Sequence, residues 1–198
     1  MDFLTGTGLV ASAGLNAYIP LLVMGLLDRY TQFINLGPGF AWLSKGWVLM
    51  ILALLLALEV VADKIPAIDS VNDIIQTVVR PTSGGIVFGS TAMSNIAGFN
   101  LGGEQTVTDP EAFVASGTWV PILAGIVIAL CVHGVKAVSR PLVNTVTVGT
   151  GAPAVSTAED VGALLMSLAA IFLPLLILVF LIVMGFAAYW ALTRLKKR

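Results

Sequence analysis

Charged side chains lie inside two of the most apolar stretches of this 198-residue chain. Glu59 and Asp63 are four residues apart, so a helix places both on one face. His133, Lys136 and Arg140 follow an i, i+3, i+7 spacing, which also places them on one face. A charge at membrane depth costs about 2.5–3.5 kcal/mol on insertion scales. These charges therefore predict either a polar pathway or headgroup site, or an ion-pair cluster that only holds helices together.

Three further polar side chains belong to the same candidate site. Lys64 stands beside the acidic face, and Asn16 and Tyr18 interrupt the apolar segment 8–27. Charges near the ends of apolar runs have an alternative role, because long side chains can reach the membrane surface. Asn16 has one too, since it can cap a helix or bridge two helices. The predicted solute or ion pathway comprises Asn16, Tyr18, Glu59, Asp63, Lys64, His133, Lys136 and Arg140.

Common enzyme motifs are absent from the sequence. It contains no HExxH, no GxSxG and no phosphate-binding Walker sequence. A single histidine excludes a multi-histidine metal site, and Cys131, the only cysteine, excludes an intramolecular disulfide. We therefore predict no catalytic residues, no metal and no cofactor. The net charge of −1 gives no basis for binding nucleic acid.

The composition is that of a membrane protein. Hydrophobic residues make up 58% of the chain and charged residues only 11%, whereas soluble domains carry about 25% charged residues. We therefore expect one all-α integral membrane domain over residues 1–198, with membrane lipids as its partners. The sequence also allows a homo-oligomer.

The apolar stretches are of two kinds. Segments 47–62, extended to about Trp42, and 113–137 are uninterrupted, and we predict spanning helices there. Segments 8–27 and 82–103 contain many glycines and small polar residues. Such backbone is tolerated in a bilayer only where neighbours satisfy it. We expect broken, re-entrant or closely packed membrane segments there.

Proline and polar residues mark the connections. The apolar positions of 66–79 recur at helical spacing, which predicts an amphipathic surface helix. Residues 138–160 are polar and turn-rich. We interpret the Arg-Pro pairs at 80–81 and 140–141 as helix boundaries, because proline disfavours a helical conformation in the preceding residue.

The C-terminal stretch 161–193 is almost uncharged. It is about 50 Å long as a helix, against a hydrocarbon core of about 30 Å. We expect a kink near Pro174, with the second part spanning, and Glu159 and Asp160 capping the helix start. The basic tail predicts a cytoplasmic C-terminus. The acidic loop 104–112 favours the outside, and we follow the tail.

An internal similarity relates the two halves of the chain. A shift of 72 residues aligns 47–81 with 119–153 and gives nine identities in 35 positions, among them the Trp47/Trp119, Lys64/Lys136, Asn72/Asn144 and Pro81/Pro153 pairs. We predict two inverted repeats of about 5–81 and 82–160, each a broken segment plus a spanning helix. Transporters show this organisation.

Several short runs resemble an uncharacterised bacterial membrane-protein family, domain of unknown function 4126. They are 13–22 (AGLNAYIPLL), 59–66 (EVVADKIP) with Asp69, 80–81, 133–137 (HGVKA), and 151–156 (GAPAVS) followed by Glu159 and Asp160. The family usually has Asn-Pro where this chain has Ala152-Pro153. The resemblance implies a bacterial cytoplasmic-membrane location and no established activity.

Two classes of function follow from these observations. The first is a small permease, channel or lipid transporter with a polar site between the repeats, acting on a small solute, an ion or a lipid. The alternative is a non-transport accessory or structural membrane subunit, whose charges lock helices together. An intramembrane enzyme ranks third.

Overall fold

The computed structural model describes residues 2–93, 95–96, 99–100, 117, 119–147, 150–173 and 182–186. Most of these residues are helical, which confirms the predicted helical class. The labelled helices are α1 (Asp2–Leu15), α2 (Tyr18–Tyr30), α3 (Gly46–Ala62), α4 (Pro66–Ala92), α5 (Trp119–Thr147) and α6 (Ala152–Phe172). A 3₁₀ turn at Ala41–Ser44 precedes α3. The α-helix therefore begins at Gly46, four residues after Trp42.

Three two-residue strands join the loops after α2 and α4. β1 (Ile34–Asn35), β2 (Asn95–Ile96) and β3 (Phe99–Asn100) form an antiparallel sheet in the order β1-β2-β3. The register places Ile34 opposite Ile96 and Asn95 opposite Asn100. The all-α prediction misses this sheet, because strands this short show no alternating pattern.

α1 lies at the centre of the bundle. It packs against α4, α5 and α6. Gly14 lies against Val132 of α5, and the Ser12 hydroxyl donates to the Ala163 carbonyl of α6 at 2.8 Å. The Ser12 Oγ is also 2.7 Å from the Ser167 Oγ. These small side chains let three helices approach α1 closely.

The directions of α1 and α4 are opposite. Gly6, near the start of α1, lies against the ring of Phe88 near the end of α4. Gly14, near the end of α1, accepts a hydrogen bond from Arg80 in the middle of α4. α1 therefore runs antiparallel to α4.

α2 runs in the same direction as α4. The Ala17 carbonyl accepts a hydrogen bond from the Ser83 hydroxyl. Two turns further along both helices, the Ser90 hydroxyl lies 3.8 Å from the Met24 sulfur. Because α1 is antiparallel to α4, the chain reverses between α1 and α2, at Asn16 and Ala17. The predicted interruption of segment 8–27 is therefore present, and it forms the turn of a helical hairpin.

α4 and α5 make the closest helix contact. A Cβ atom at Gly84 would lie 2.5 Å from the Ala129 Cβ and 2.6 Å from the Gly125 carbonyl oxygen. Only glycine fits at this crossing, so the small residues of 82–92 serve close packing. Helix α4 continues through them to Ala92. Most of 93–103 lies outside the described residues.

Both predicted Arg-Pro boundaries are wrong. Pro81 lies inside α4 and Pro141 inside α5. Residues 138–160 are likewise not a turn-rich connection, because α5 continues to Thr147 and α6 begins at Ala152. Packing overrides the local preference of proline at both places. Residues 113–116 and the proposed kink at Pro174 lie outside the described residues.

The 72-residue shift does not match in local structure. It pairs Lys64, which follows the end of α3, with Lys136, which lies inside the continuous helix α5. The helix of the first half therefore ends at a position where the helix of the second half continues. The sequence similarity therefore does not correspond to equal backbone conformation at these positions.

Two described helices, α5 and α6, are long and apolar enough to cross a membrane, and α1 and α3 contain shorter apolar helices. This length and composition alone suggest a membrane protein only weakly.

Candidate functional site

The carboxylates of α3 point into the bundle. Glu59 is 3% exposed, and Asp63, at the C-terminal end of the helix, is 1% exposed. Leu54, Leu58 and Val61 of the same helix are exposed to the surroundings. The C-terminal half of the helix therefore buries its acidic side chains and exposes large apolar ones, the reverse of a soluble helix, while Val48, Leu49 and Leu52 nearer its start are buried.

α5 shows the same inverted arrangement. Its polar face of His133, Lys136 and Arg140 is buried, as the spacing predicts, while Leu130 and Val138 are exposed. The two faces meet. Lys136 Nζ lies 3.0 Å and Arg140 Nη2 3.2 Å from Asp63 Oδ2. The prediction that the acidic face of α3 contacts the basic face of α5 is confirmed.

Arg80 of α4 is a central member of the site that the sequence analysis missed. Its side chain is fully buried, and its Nη2 donates to Glu59 Oε1 at 2.8 Å. Its Nη1 lies 3.1 Å from His133 Nδ1 and 3.4 Å from the Gly14 carbonyl. A signal was present, because Arg80 lies one turn after Gln76 and so extends the polar face of α4.

Arg80 determines which ring nitrogen of His133 carries the proton. A guanidinium only donates, so His133 Nδ1 must accept, and the ring proton is on Nε2. Nε2 lies 3.1 Å from Thr77 Oγ1, which donates to the Asp73 carbonyl at 2.9 Å. His133 is thus a neutral imidazole in a directed chain of hydrogen bonds that runs from Arg80 to the backbone of α4.

Glu159 of α6 completes the ion-pair network. Its Oε2 contacts Lys136 Nζ at 3.1 Å and also pairs with Arg140 Nη2. The predicted capping role of Glu159 and Asp160 is wrong, because α6 begins at Ala152, two turns earlier, and Gly151 makes no side-chain cap. The network joins α3, α4, α5 and α6 through three carboxylates and three cations.

Asp63 has the most contacts in this network. Besides Lys136 and Arg140, its Oδ1 accepts a hydrogen bond from Asn72 at 2.7 Å, and Arg80 Nη2 lies 3.9 Å from Oδ2. Burial disfavours a charged carboxylate, but the Lys136 ammonium and the two guanidinium groups stabilise the charge of Asp63. Asp63 is therefore held as a carboxylate by its three cationic neighbours.

The hairpin turn contacts this network. Asn16 is fully buried, and its Oδ1 accepts from the backbone N–H groups of Tyr18 and Ile19, which caps α2. Its Nδ2 donates to Asp160 Oδ1 of α6 at 2.9 Å. Asn16 therefore does both things proposed as its alternative role: it caps one helix and bridges to another.

The carbonyl groups freed at the end of α1 point at cations. The Gly14 carbonyl accepts from Arg80, and the Leu15 carbonyl lies 3.3 Å from Lys136 Nζ. The C-terminus of a helix carries partial negative charge, which two cations stabilise here. The broken helix and the ion-pair network form one site.

Four polar side chains line the side of the site formed by α2, α3 and α4. Tyr18 is half-buried, and its hydroxyl is within electrostatic range of Glu59, Gln76 and Arg80. Buried Glu59 Oε2, Gln76 Oε1 and Arg80 Nε have no hydrogen-bond partner among the described residues. An unpaired buried polar atom destabilises a protein by about 1–3 kcal/mol, so such atoms in a native site call for a bound water, ion or ligand.

The predicted site residue Lys64 lies outside the ion-pair network. It is half-buried, and its Nζ donates to the Val60 carbonyl of its own helix at 3.0 Å. The structure therefore brings Asn16, Tyr18, Glu59, Asp63, His133, Lys136 and Arg140 together and leaves Lys64 beside them. Within the described residues, no group of three His, Cys, Asp or Glu side chains is arranged to hold a metal ion.

Comparison with known proteins gives one match. The family model described as Domain of unknown function (DUF4126) matches residues 3–194. No curated protein and no solved structure matches the chain. The chain belongs to this family, as its short sequence runs indicate.

Proposed function

We propose that this DUF4126 member is an integral membrane protein that moves a small solute, an ion or a lipid through the polar site beneath its helical hairpin. One observation carries the proposal. Helices α3, α4 and α5 bury charged side chains against one another and turn large apolar side chains outward. Ionisable residues inside membrane proteins face the bundle interior in this way, and they mark substrate or ion pathways.

α4 is the strongest example of this inversion. Val71, Ile74 and Val78 are more than half exposed, whereas Gln76 and Arg80 on the opposite face are buried. In water this arrangement would expose the apolar surface and desolvate the charges at once, and both are unfavourable. A hydrocarbon solvent removes the first of these costs.

Exposed aromatic residues supply a depth scale. Tyr30, Trp47 and Trp119 are exposed at the end of the bundle opposite the ion-pair network. Tyrosine and tryptophan favour the membrane–water interface. His133 follows Trp119 by 14 residues, or about 21 Å of helix, within a hydrocarbon core of about 30 Å. The network then lies inside the bilayer, in the half away from the aromatic residues.

The hairpin supports transport over simple anchoring. α1 and α2 are each about 20 Å long, too short to cross the core singly, and they reverse at the charged site. Re-entrant or broken helices whose ends meet ionisable side chains are a feature of transporter binding sites. The unpaired Glu59 and Gln76 oxygens provide groups for a ligand or for water. The inverted-repeat symmetry is not needed for this proposal.

The membrane location has a direct test. Val127 of α5 is exposed and lies about 12 Å along the helix from Trp119. We expect Val127→Lys to abolish membrane insertion or folding, because a lysine at this depth costs about 2.5–3.5 kcal/mol. Thr150, an exposed residue beyond α5, is the control, and Thr150→Lys should be tolerated. Equal yields of folded protein for both variants would contradict a lipid-facing α5.

Transport is tested in liposomes. Purified protein would be assayed for three fluxes: protons with a trapped pH dye, potassium with an ion-sensitive dye, and a fluorescent phospholipid by surface quenching. We expect at least one flux above that of protein-free liposomes, lost in Lys136→Gln with insertion retained. Three fluxes equal to the protein-free rate would reject the proposal.

The second candidate is a structural or accessory membrane subunit. It is favoured by the ion-pair count, because Glu59, Asp63 and Glu159 all contact cations directly. In this case Lys136→Gln should lower stability, and no flux should depend on it. For either candidate we propose that the protein lies in the bacterial cytoplasmic membrane, with lipids as its partners and a cytoplasmic C-terminus. Chemical cross-linking would test whether it forms homo-oligomers.

A further inference from the structure

The three carboxylates of the network differ in how strongly cations hold them. Asp63 and Glu159 each contact both Lys136 and Arg140. Glu59 makes one ion pair, through Oε1 to Arg80. Glu59 is therefore the carboxylate whose negative charge the network needs least.

Glu59 Oε2 is a buried oxygen without a hydrogen-bond donor among the described residues, and Gln76 Oε1 is a second. Both side chains are more than nine-tenths buried. They belong to neighbouring helices that Arg80 connects, since it lies one turn after Gln76 on α4 and donates to Glu59 Oε1 at 2.8 Å. Neither oxygen can donate a hydrogen bond to the other unless one of them carries a hydrogen.

Arg80 keeps partners when Glu59 is neutral. Its Nη1 contacts His133 Nδ1 and the Gly14 carbonyl, and Asp63 Oδ2 lies 3.9 Å from Nη2. Losing the charge of Glu59 therefore leaves the guanidinium with a carboxylate, an imidazole and a helix C-terminus. The arrangement tolerates both charge states of Glu59.

We propose that Glu59 is a proton-binding site in which Oε2 takes up a proton and donates it in a hydrogen bond to Gln76 Oε1. One proton then satisfies both unpaired oxygens. The step adds H⁺ from water to Oε2, makes the carboxylate a neutral acid and changes no oxidation state. Its role as a coupling ion rests on the proposed transport function, whereas the site itself does not.

Other titratable and charged groups on the helices packed around Glu59 contribute to the electrostatic potential at its carboxyl group. They are Tyr18 on α2, Asp63 at the end of α3, Asp73 and Arg80 on α4, His133, Lys136 and Arg140 on α5, and Glu159 and Asp160 on α6. The nearest charge is Arg80, so release of the proton restores the 2.8 Å ion pair.

Infrared difference spectroscopy of the full-length protein in lipid nanodiscs tests the site, with the pH lowered stepwise. A protonated buried carboxyl gives a C=O stretching band that a carboxylate lacks. We expect one such band, absent in Glu59→Gln and unchanged in the control Asp28→Asn, which removes a carboxylate near the end of α2, outside the ion-pair network. In Gln76→Leu it should move to higher frequency, because the acid loses its acceptor.

A labelling experiment removes dependence on the folding of any variant. In wild-type protein made with ¹³C-carboxyl glutamate, the band should shift as a whole, which assigns it to glutamate rather than aspartate. A band that persists in folded Glu59→Gln, that ignores the label or that keeps its frequency in Gln76→Leu would overturn the proposal, as would the absence of any band. The band without any flux would reject transport and leave the proton site standing.

Discussion

Replacing Asp63 by asparagine tests the energetics of the site most directly. The substitution keeps the size of the side chain and an oxygen acceptor but removes one negative charge. Lys136 and Arg140, both buried, lose their shared contact with Asp63 and keep their contacts with Glu159. Among the described members of the network, three cations then face two carboxylates.

The size of the effect follows from this count. Breaking a buried ion pair by removing one partner destabilises proteins by about 3–5 kcal/mol. Glu159 offsets part of the loss because it contacts both cations, so we expect about 3 kcal/mol for Asp63→Asn. This is a large fraction of the 5–15 kcal/mol that is typical of a folded protein.

The assay is reversible unfolding in mixed micelles, followed by tryptophan fluorescence and circular dichroism at neutral pH. The free energy of unfolding would be measured for Asp63→Asn, Lys136→Met and the double variant. Because the second change removes an uncompensated cation, we expect the double variant to recover at least about 1 kcal/mol relative to the sum of the single effects.

Lys64→Met supplies the matched control. Lys64 lies next to Asp63 in sequence, but its Nζ contacts the Val60 carbonyl rather than the network. Its effect should add to that of Asp63→Asn without coupling. A loss below about 1 kcal/mol for Asp63→Asn, or equal coupling to Lys64 and Lys136, would show that the charges do not stabilise each other as inferred.

Three further predictions concern other contacts. Gly84→Val should destabilise the α4–α5 crossing by about 1–3 kcal/mol through overpacking, whereas Gly134→Val, with no atom within 4 Å of its Cβ position, should change thermal unfolding little. Asn16→Ala should lower stability by about 1 kcal/mol or more, because α2 loses its cap and Asp160 loses a donor; a melting temperature equal to wild type would contradict this role. Because Asp63 stabilises Lys136 and Arg140 only as a carboxylate, acid that protonates Asp63 should remove this stabilisation. Micelle unfolding between pH 7 and pH 2 should show this loss in wild type and not in Asp63→Asn.

Helical spacing was sufficient to predict the contact between α3 and α5. The i, i+4 pair on α3 and the i, i+3, i+7 set on α5 each define one face, and unpaired charges in an apolar helix have a strong reason to meet. Spacing does not reveal which other helices reach the same point. From the sequence alone, Glu159 is therefore interpreted as a helix cap and Arg80 as part of a helix boundary, although both belong to the network.

The two proline-based helix boundaries are wrong for a physical reason. It removes one backbone hydrogen bond, and its effect on the preceding residue is local. Arg80 and Arg140 precede the two prolines and are buried. Arg80 connects α4 to three neighbouring helices, and Arg140 connects α5 to Asp63 at the end of α3 and to Glu159 of α6. Long-range contacts of this kind outweigh a local preference, and a single sequence does not show them.

The amphipathic pattern of 66–79 predicts a surface helix. The pattern does not determine which face of that helix is buried. Periodicity measures only that one face is polar and the other apolar. In water the apolar face is buried, and in hydrocarbon the preference reverses, because lipid tails solvate leucine and valine but not a carboxylate or an amide. Within α4, Val71 and Val78 are exposed and Gln76 and Arg80 are buried, so the orientation of this one helix reports on the solvent around it. The same orientation of charged side chains recurs on α3 and α5, and on each of the three helices water would oppose both the burial of the charges and the exposure of the apolar residues.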